Sequence, residues 1–170
     1  MDAIIYNSKT GFTKQYADLL SKKLSLSQYD LKKAKSALSK GSEVIFLSRI
    51  KKGKVDEFKK AAGRYELSCV VGVGMSIEGE EVAKGFKEQT GIDEPFFYLQ
   101  GGFDFNRLKG MDRFVMKQFR DAMVPRYEAA TDLDEAQMNM LKMFRDGGNC
   151  VSIDRLSPVI EWYRNRENVC

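Results

Sequence analysis

A chain of 170 residues, 43% apolar and 31% charged, has the length and balance of one soluble globular domain with room for a sizeable core. The net charge of +4 is uneven: residues 1–65 carry 15 Lys/Arg against 6 Asp/Glu (+9), and residues 66–170 carry 13 against 18 (−5). Histidine is absent, which excludes Ser-His and Cys-His catalysis, and the three cysteines, Cys69, Cys150 and Cys170, form no CxxC pair, so neither a zinc site nor a disulfide framework is expected.

Residues 3–6, Ala-Ile-Ile-Tyr, form a short continuous apolar run, the pattern of a strand buried on both faces. From residue 13 to 24 the apolar positions Tyr16, Leu19, Leu20 and Leu24 recur with helical spacing. Residues 28–32 offer a weaker strand pattern. The run 44–47 is a third strand, followed by a polar loop and a helix near 55–63. The pattern repeats with a strand at 69–73, a helix over 80–90 and a strand at 96–99.

Beyond that point the alternation stops. Residues 110–123 and 132–146 read as two helices separated by Val124-Pro125-Arg126, and a last helix spans 154–166. Six of the eight methionines fall between 106 and 148, where core packing is the expected use of their adaptable side chains. Strands alternating with helices predict an α/β fold: an open, doubly wound five-stranded parallel sheet with helices on both faces. Residues 1–170 are expected to form one domain, with a helical elaboration over about 106–148. No run approaches the roughly 18 apolar residues of a membrane span. The first residues lack the regions of a signal peptide, so a cytoplasmic location is expected.

The segment Ser8-Lys9-Thr10-Gly11-Phe12-Thr13 lies between the first strand and the first helix. Open parallel sheets bind ligands there, and a helix N-terminus favours an anion. Gly11 lets the backbone approach phosphate oxygens, Ser8, Thr10 and Thr13 bring hydroxyl donors, and Lys9 brings a charge. The competing use of these residues is a helix cap at Thr13 and a turn at Gly11. Two rival phosphate motifs fail: no Gly-Lys-Ser/Thr follows a strand, and Ile77 replaces the third glycine of the dinucleotide fingerprint begun by Gly72 and Gly74.

With Ile4-Ile5-Tyr6 ahead of it and Ala17 and Leu20 behind it, this segment resembles the phosphate-binding signature of the flavodoxin family. The resemblance implies the strand order 2-1-3-4-5 and FMN as cofactor. It also implies flavin contacts from Ser48, Arg49, Ile50, Lys51, Lys52 and Gly53, from Gly74, Met75 and Ser76, and from Gly101, Gly102 and Phe103. Many flavodoxins sandwich the flavin ring with aromatics from the loops at 48–54 and 74–79. Here neither loop has one, and the first offers cations instead.

A second region, Gln100-Gly101-Gly102-Phe103-Asp104-Phe105 with Met111-Asp112-Arg113-Phe114 and Met116-Lys117, is similar to the bacterial menaquinone-dependent protoporphyrinogen oxidases, as is the end around Ser152-Ile153-Asp154 and Trp162. That branch carries a long insert near its fourth strand, absent here, and more basic or aromatic residues where this chain has Asp104, Leu108 and Gly110. The resemblance implies an FMN-dependent oxidoreductase acting on a quinone or a porphyrinogen-type substrate. The alternatives are an electron carrier docking on a redox partner protein, and a fold relative that has lost FMN. Carriers commonly have strongly acidic faces, so a sequence pI near 8.9 favours the enzyme. The sequence singles out no catalytic acid or base, no metal and no nucleic acid are expected, and membrane contact is at most peripheral.

Overall fold

A computed structural model describes residues 1–167; Cys170 lies outside them. The first half runs β1 (Ala3–Asn7), α1 (Phe12–Leu24), β2 (Gln28–Asp30), α2 (Leu31–Ala34), β3 (Glu43–Lys51), β4 (Lys54–Val55) and α3 (Phe58–Ala62). It continues through β5 (Glu66–Gly74), α4 (Glu80–Thr90) and β6 (Phe96–Gln100). Five strands pair in parallel in the order β2-β1-β3-β5-β6, the predicted doubly wound sheet, and β4 adds an antiparallel step on the end of β3.

Successive strand residues serve opposite faces. Ile4, Ile45, Leu47, Cys69 and Val71 meet Tyr16, Ala17 and Leu20 of α1 on one side. On the other, Ala3, Ile5, Val44, Phe46 and Val70 meet Leu31 and Ala34 of α2 and Phe58 and Ala61 of α3. The apolar runs lack alternation because both faces are covered, and each buried Ile, Leu or Phe contributes about 1.5–3 kcal/mol. Tyr16 is fully buried, and its hydroxyl donates to the Gln100 carbonyl at 2.6 Å, so α1 is anchored to the end of β6.

Beyond β6 come β7 (Gly102–Phe103), a 3-10 turn (Phe105–Arg107), α5 (Gly110–Glu128), α6 (Glu135–Asp146) and β8 (Gly148–Asn149). A 3-10 turn (Asp154–Leu156) then leads into α7 (Ser157–Glu167), whose Val159, Ile160 and Tyr163 complete the α1 face of the core. The β7–β8 pair is antiparallel and closes the base of the α5–α6 elaboration. A third small core fills the elaboration: Phe103, Met143 and Phe144, with Met116, Met123 and Met140 packed against them. Four of its methionines therefore pack as expected, while Met111 and Met138 are exposed.

Several boundaries differ from expectation. Residues 31–32 belong to α2, because the Asp30 carboxylate accepts the Lys32 N–H at 2.9 Å and caps a helix there. The helix expected near 55–63 begins at Phe58, since Lys54 and Val55 pair with β3. Ser48–Lys51, expected as loop, continue β3 into that hairpin. Its turn residues Lys52 (φ 51°) and Gly53 (φ 78°) both take the positive φ that tight hairpins require. Pro125 does not end α5: it lies in the last turns, where it removes one hydrogen bond, and the Ala129 N–H still reaches its carbonyl at 3.1 Å. No helix among the described residues is long and apolar enough to cross a membrane.

Candidate functional site

The C-terminal ends of β1, β3, β5 and β6 open on one edge of the sheet. The segment after β1 turns sharply because Gly11 adopts φ 98°, a left-handed conformation that disfavours a side chain. The Ser8 hydroxyl accepts the Gly11 N–H at 3.2 Å and closes the turn. Helix α1 then starts at Phe12 with no side-chain cap and no acidic residue in its first turn. Its leading N–H groups therefore carry no side-chain cap, and its own first turn holds no carboxylate to compete with an anion. The Thr10 and Thr13 hydroxyls have no hydrogen-bond partner among the described residues, although Thr13 is 3% exposed. Thr13 is not a helix cap.

Both threonines line a cleft of about 410 Å³, within the roughly 300–1,000 Å³ of small-ligand sites. Its walls come from four places: Thr10, Phe12 and Thr13; Arg49, Ile50, Lys52 and Gly53; Gly74, Met75 and Ser76; and Gly102 and Phe103. Val73, Phe86, Tyr98 and Asp104 also line it, and the elaboration adds Leu108, Met116, Phe119 and Met140. Gly74 keeps the cleft open, since a Cβ there would stand 2.8 Å from the Tyr98 hydroxyl. That hydroxyl donates to the Ser76 carbonyl at 2.9 Å, and burial pushes its pKa upward, so it is a fixed donor.

A family model described as flavodoxin domain matches residues 3–123, from β1 into α5. The chain belongs to the flavodoxin domain family. No curated protein and no solved structure matches it. The match covers the sheet and the loop between β1 and α1 of this flavodoxin domain. Helix α6, β8 and α7 lie beyond the matched residues.

Of the remaining expected site residues, Ser8 shapes the loop as described, and Lys9 and Lys51 are exposed beside the cleft. Ser48 is fully buried. Its hydroxyl accepts from the Asn7 amide at 3.1 Å and donates to the Asp56 carbonyl at 2.6 Å, joining the ends of β1 and β3. Gly101 admits the close approach of Val73, whose Cγ1 would stand 2.6 Å from an added Cβ.

Arg49 is not a free cation. Its Nε meets Asp56 and its Nη1 meets Asp112, each at 2.8 Å, so two carboxylates neutralise it and tie β3 to the start of α5. Arg113 donates to the Phe105 carbonyl at 2.8 Å and stacks 4.3 Å from that ring, so Asp112 and Arg113 are not paired with each other.

Sequence reasoning missed the aromatic wall. No aromatic occupies the loops at 48–54 and 74–79, but Phe86 of α4, Tyr98 of β6 and Phe119 of α5 reach the cleft from elsewhere. It also missed Gln100, 4% exposed, whose amide donates to the Met75 carbonyl and to the Asn139 side chain, both at 3.1 Å. That bridge fastens the loop after β5 to α6. A helical repeat places Phe86 and Phe119 on a face, but only the fold says which faces meet.

Proposed function

We propose that this flavodoxin domain binds FMN and passes electrons through it. The observation that carries the reading is the uncapped, acid-free start of α1 with two unpartnered threonine hydroxyls at the mouth of a cleft. A phosphate monoester needs converging donors, and this loop has donors without acceptors in its first turn. Bound FMN supplies one- or two-electron redox chemistry, and the protein's part is to place and shield the ring. The flat side walls Phe12, Phe103 and Tyr98, with Gly74 and Gly102 allowing close approach, suit a planar ligand.

Replacing both Thr10 and Thr13 with alanine removes two charge-assisted hydrogen bonds. At about 1.5–3 kcal/mol each, that weakens FMN by about a hundredfold or more and leaves riboflavin binding unchanged. Flavin fluorescence titration reads both constants. An equal loss for the two ligands means that the loop does not hold the phosphate.

The electron acceptor in this proposal is a small apolar ring of the quinone class. Its support is the apolar side of the cleft, Met75, Leu108, Met116, Phe119 and Met140. Porphyrinogen oxidation gains no support from the site, because Asp112 and Arg113 are engaged with Arg49 and Phe105. Phe119→Glu is expected to slow reoxidation by a soluble naphthoquinone, measured per bound flavin on the reduced, FMN-loaded protein. Reoxidation by a small redox protein that outpaces the quinone, with the quinone rate unmoved by the substitution, favours the carrier reading. A cytoplasmic location belongs to the same proposal and is supported by the free thiols of Cys69 and Cys150.

A further inference from the structure

The phosphate loop is contacted by a cation far away in sequence. Arg107 ends the 3-10 turn Phe105–Arg107, and its Nη1 donates to the Thr10 carbonyl at 3.2 Å. The same nitrogen lies 3.4 Å from where a Cβ on Gly11 would stand, and the guanidinium is 5.8 Å from the Phe12 ring centroid. Its Nε is held by the Asp104 carboxylate at 3.0 Å. Asp104 in turn caps the turn by accepting the Asn106 N–H at 2.9 Å, so the anchor is itself fixed. The third guanidinium nitrogen has no protein partner among the described residues.

The Thr10–Gly11 peptide is therefore gripped at both ends, its carbonyl by Arg107 and its N–H by the Ser8 hydroxyl. We propose that Arg107 is the cation of the phosphate site. It holds this peptide in the shape that keeps the cradle open, engages the carbonyl whose negative end would repel an anion, and, with Asp104 balancing part of its charge, turns its remaining N–H donors to the phosphate dianion. The inference rests on the FMN reading and deepens it. Arginine suits the task because its fork reaches Asp104 and the loop in two directions at once, which a lysine ammonium on a single stem does not. The role also makes the elaboration part of the cofactor site: β7 and the turn that follows it set Arg107 on the loop.

The test compares Arg107→Ala and Arg107→Lys with the Thr10/Thr13 double alanine variant, titrating FMN and riboflavin at low and high salt. Arg107→Ala is expected to weaken FMN about tenfold and leave riboflavin unchanged. It should also flatten the loss of FMN affinity that salt causes in the unsubstituted protein. Arg107→Lys is expected to keep the salt dependence and recover only part of the affinity. If Arg107→Ala binds FMN like the parent while the threonine variant loses FMN alone, the inference fails and the phosphate-loop reading stands. If neither variant changes the ratio of FMN to riboflavin affinity, both fail. A loss shared by the two flavins together with a lower Tm assigns Arg107 a purely structural role and overturns the inference.

Discussion

Arg49 joins two elements that lie far apart in sequence, and its removal has a calculable signature. The guanidinium is 17% exposed, Asp56 is 19% and Asp112 is 28%, so water screens these pairs only in part. Asp112→Asn preserves shape and leaves Arg49 with Asp56, so the loss is one charge-assisted bond, about 1 kcal/mol at pH 7. Arg49→Met strands two carboxylates beside each other, which costs roughly 2–4 kcal/mol. The double variant removes one stranded charge, so it should be less destabilised than the sum of the single variants by about 1–2 kcal/mol. In thermal melts, 1 kcal/mol in a chain of this size corresponds to roughly 2–4 °C.

The hydrogen bond from Arg49 holds the Asp112 carboxyl below the usual carboxylate range. A depressed folded-state value gives stability that is fully present above the unfolded value of about 3.9 and is lost as pH falls through the folded value. The gap between parent and Asp112→Asn in urea midpoint should therefore hold at pH 7 and narrow toward pH 3. Strictly additive single and double variants, or a gap that does not change with pH, refute the ion-pair account.

Two further outcomes follow from packing. Gly102→Ala would place a Cβ 2.3 Å from the Gly148 carbonyl oxygen and 2.8 Å from the Phe12 ring, so it should part β7 from β8 and cost about 1–3 kcal/mol. Faster hydrogen exchange across residues 135–149 is the expected readout, and unchanged protection would show that the pair does not hold the elaboration. Cys69 is fully buried in the sheet and burial pushes its thiol pKa upward, whereas Cys150 is half-buried. In a Cys170→Ser protein a thiol reagent should modify Cys150 under native conditions and Cys69 only after unfolding; native reactivity at Cys69 contradicts the packing.

The sheet and the sharp turn before α1 were legible in the sequence because each depends on short-range chemistry. Strands such as Ala3–Asn7 and Glu43–Lys51 show as unbroken apolar runs, since covering both faces removes the alternation. Gly11 and its neighbouring hydroxyls mark the loop because the turn and its donors lie within six consecutive residues. The turn at Lys52-Gly53 was harder to read: a glycine signals it, but a lysine at positive φ does not.

What only the tertiary structure decided is which distant residues share a charge or a wall. Arg49 looked like a cation for the ring until the fold brought Asp112 to it from 63 positions away. Nothing local in the sequence singles out Arg107, and the path of the chain set it on a carbonyl 97 positions earlier. Phe86, Tyr98 and Phe119 supply the aromatic wall that the loops lack. Periodicity reports the backbone conformation of a segment, whereas an ion pair or a cleft wall depends on the order of strands and the seating of helices.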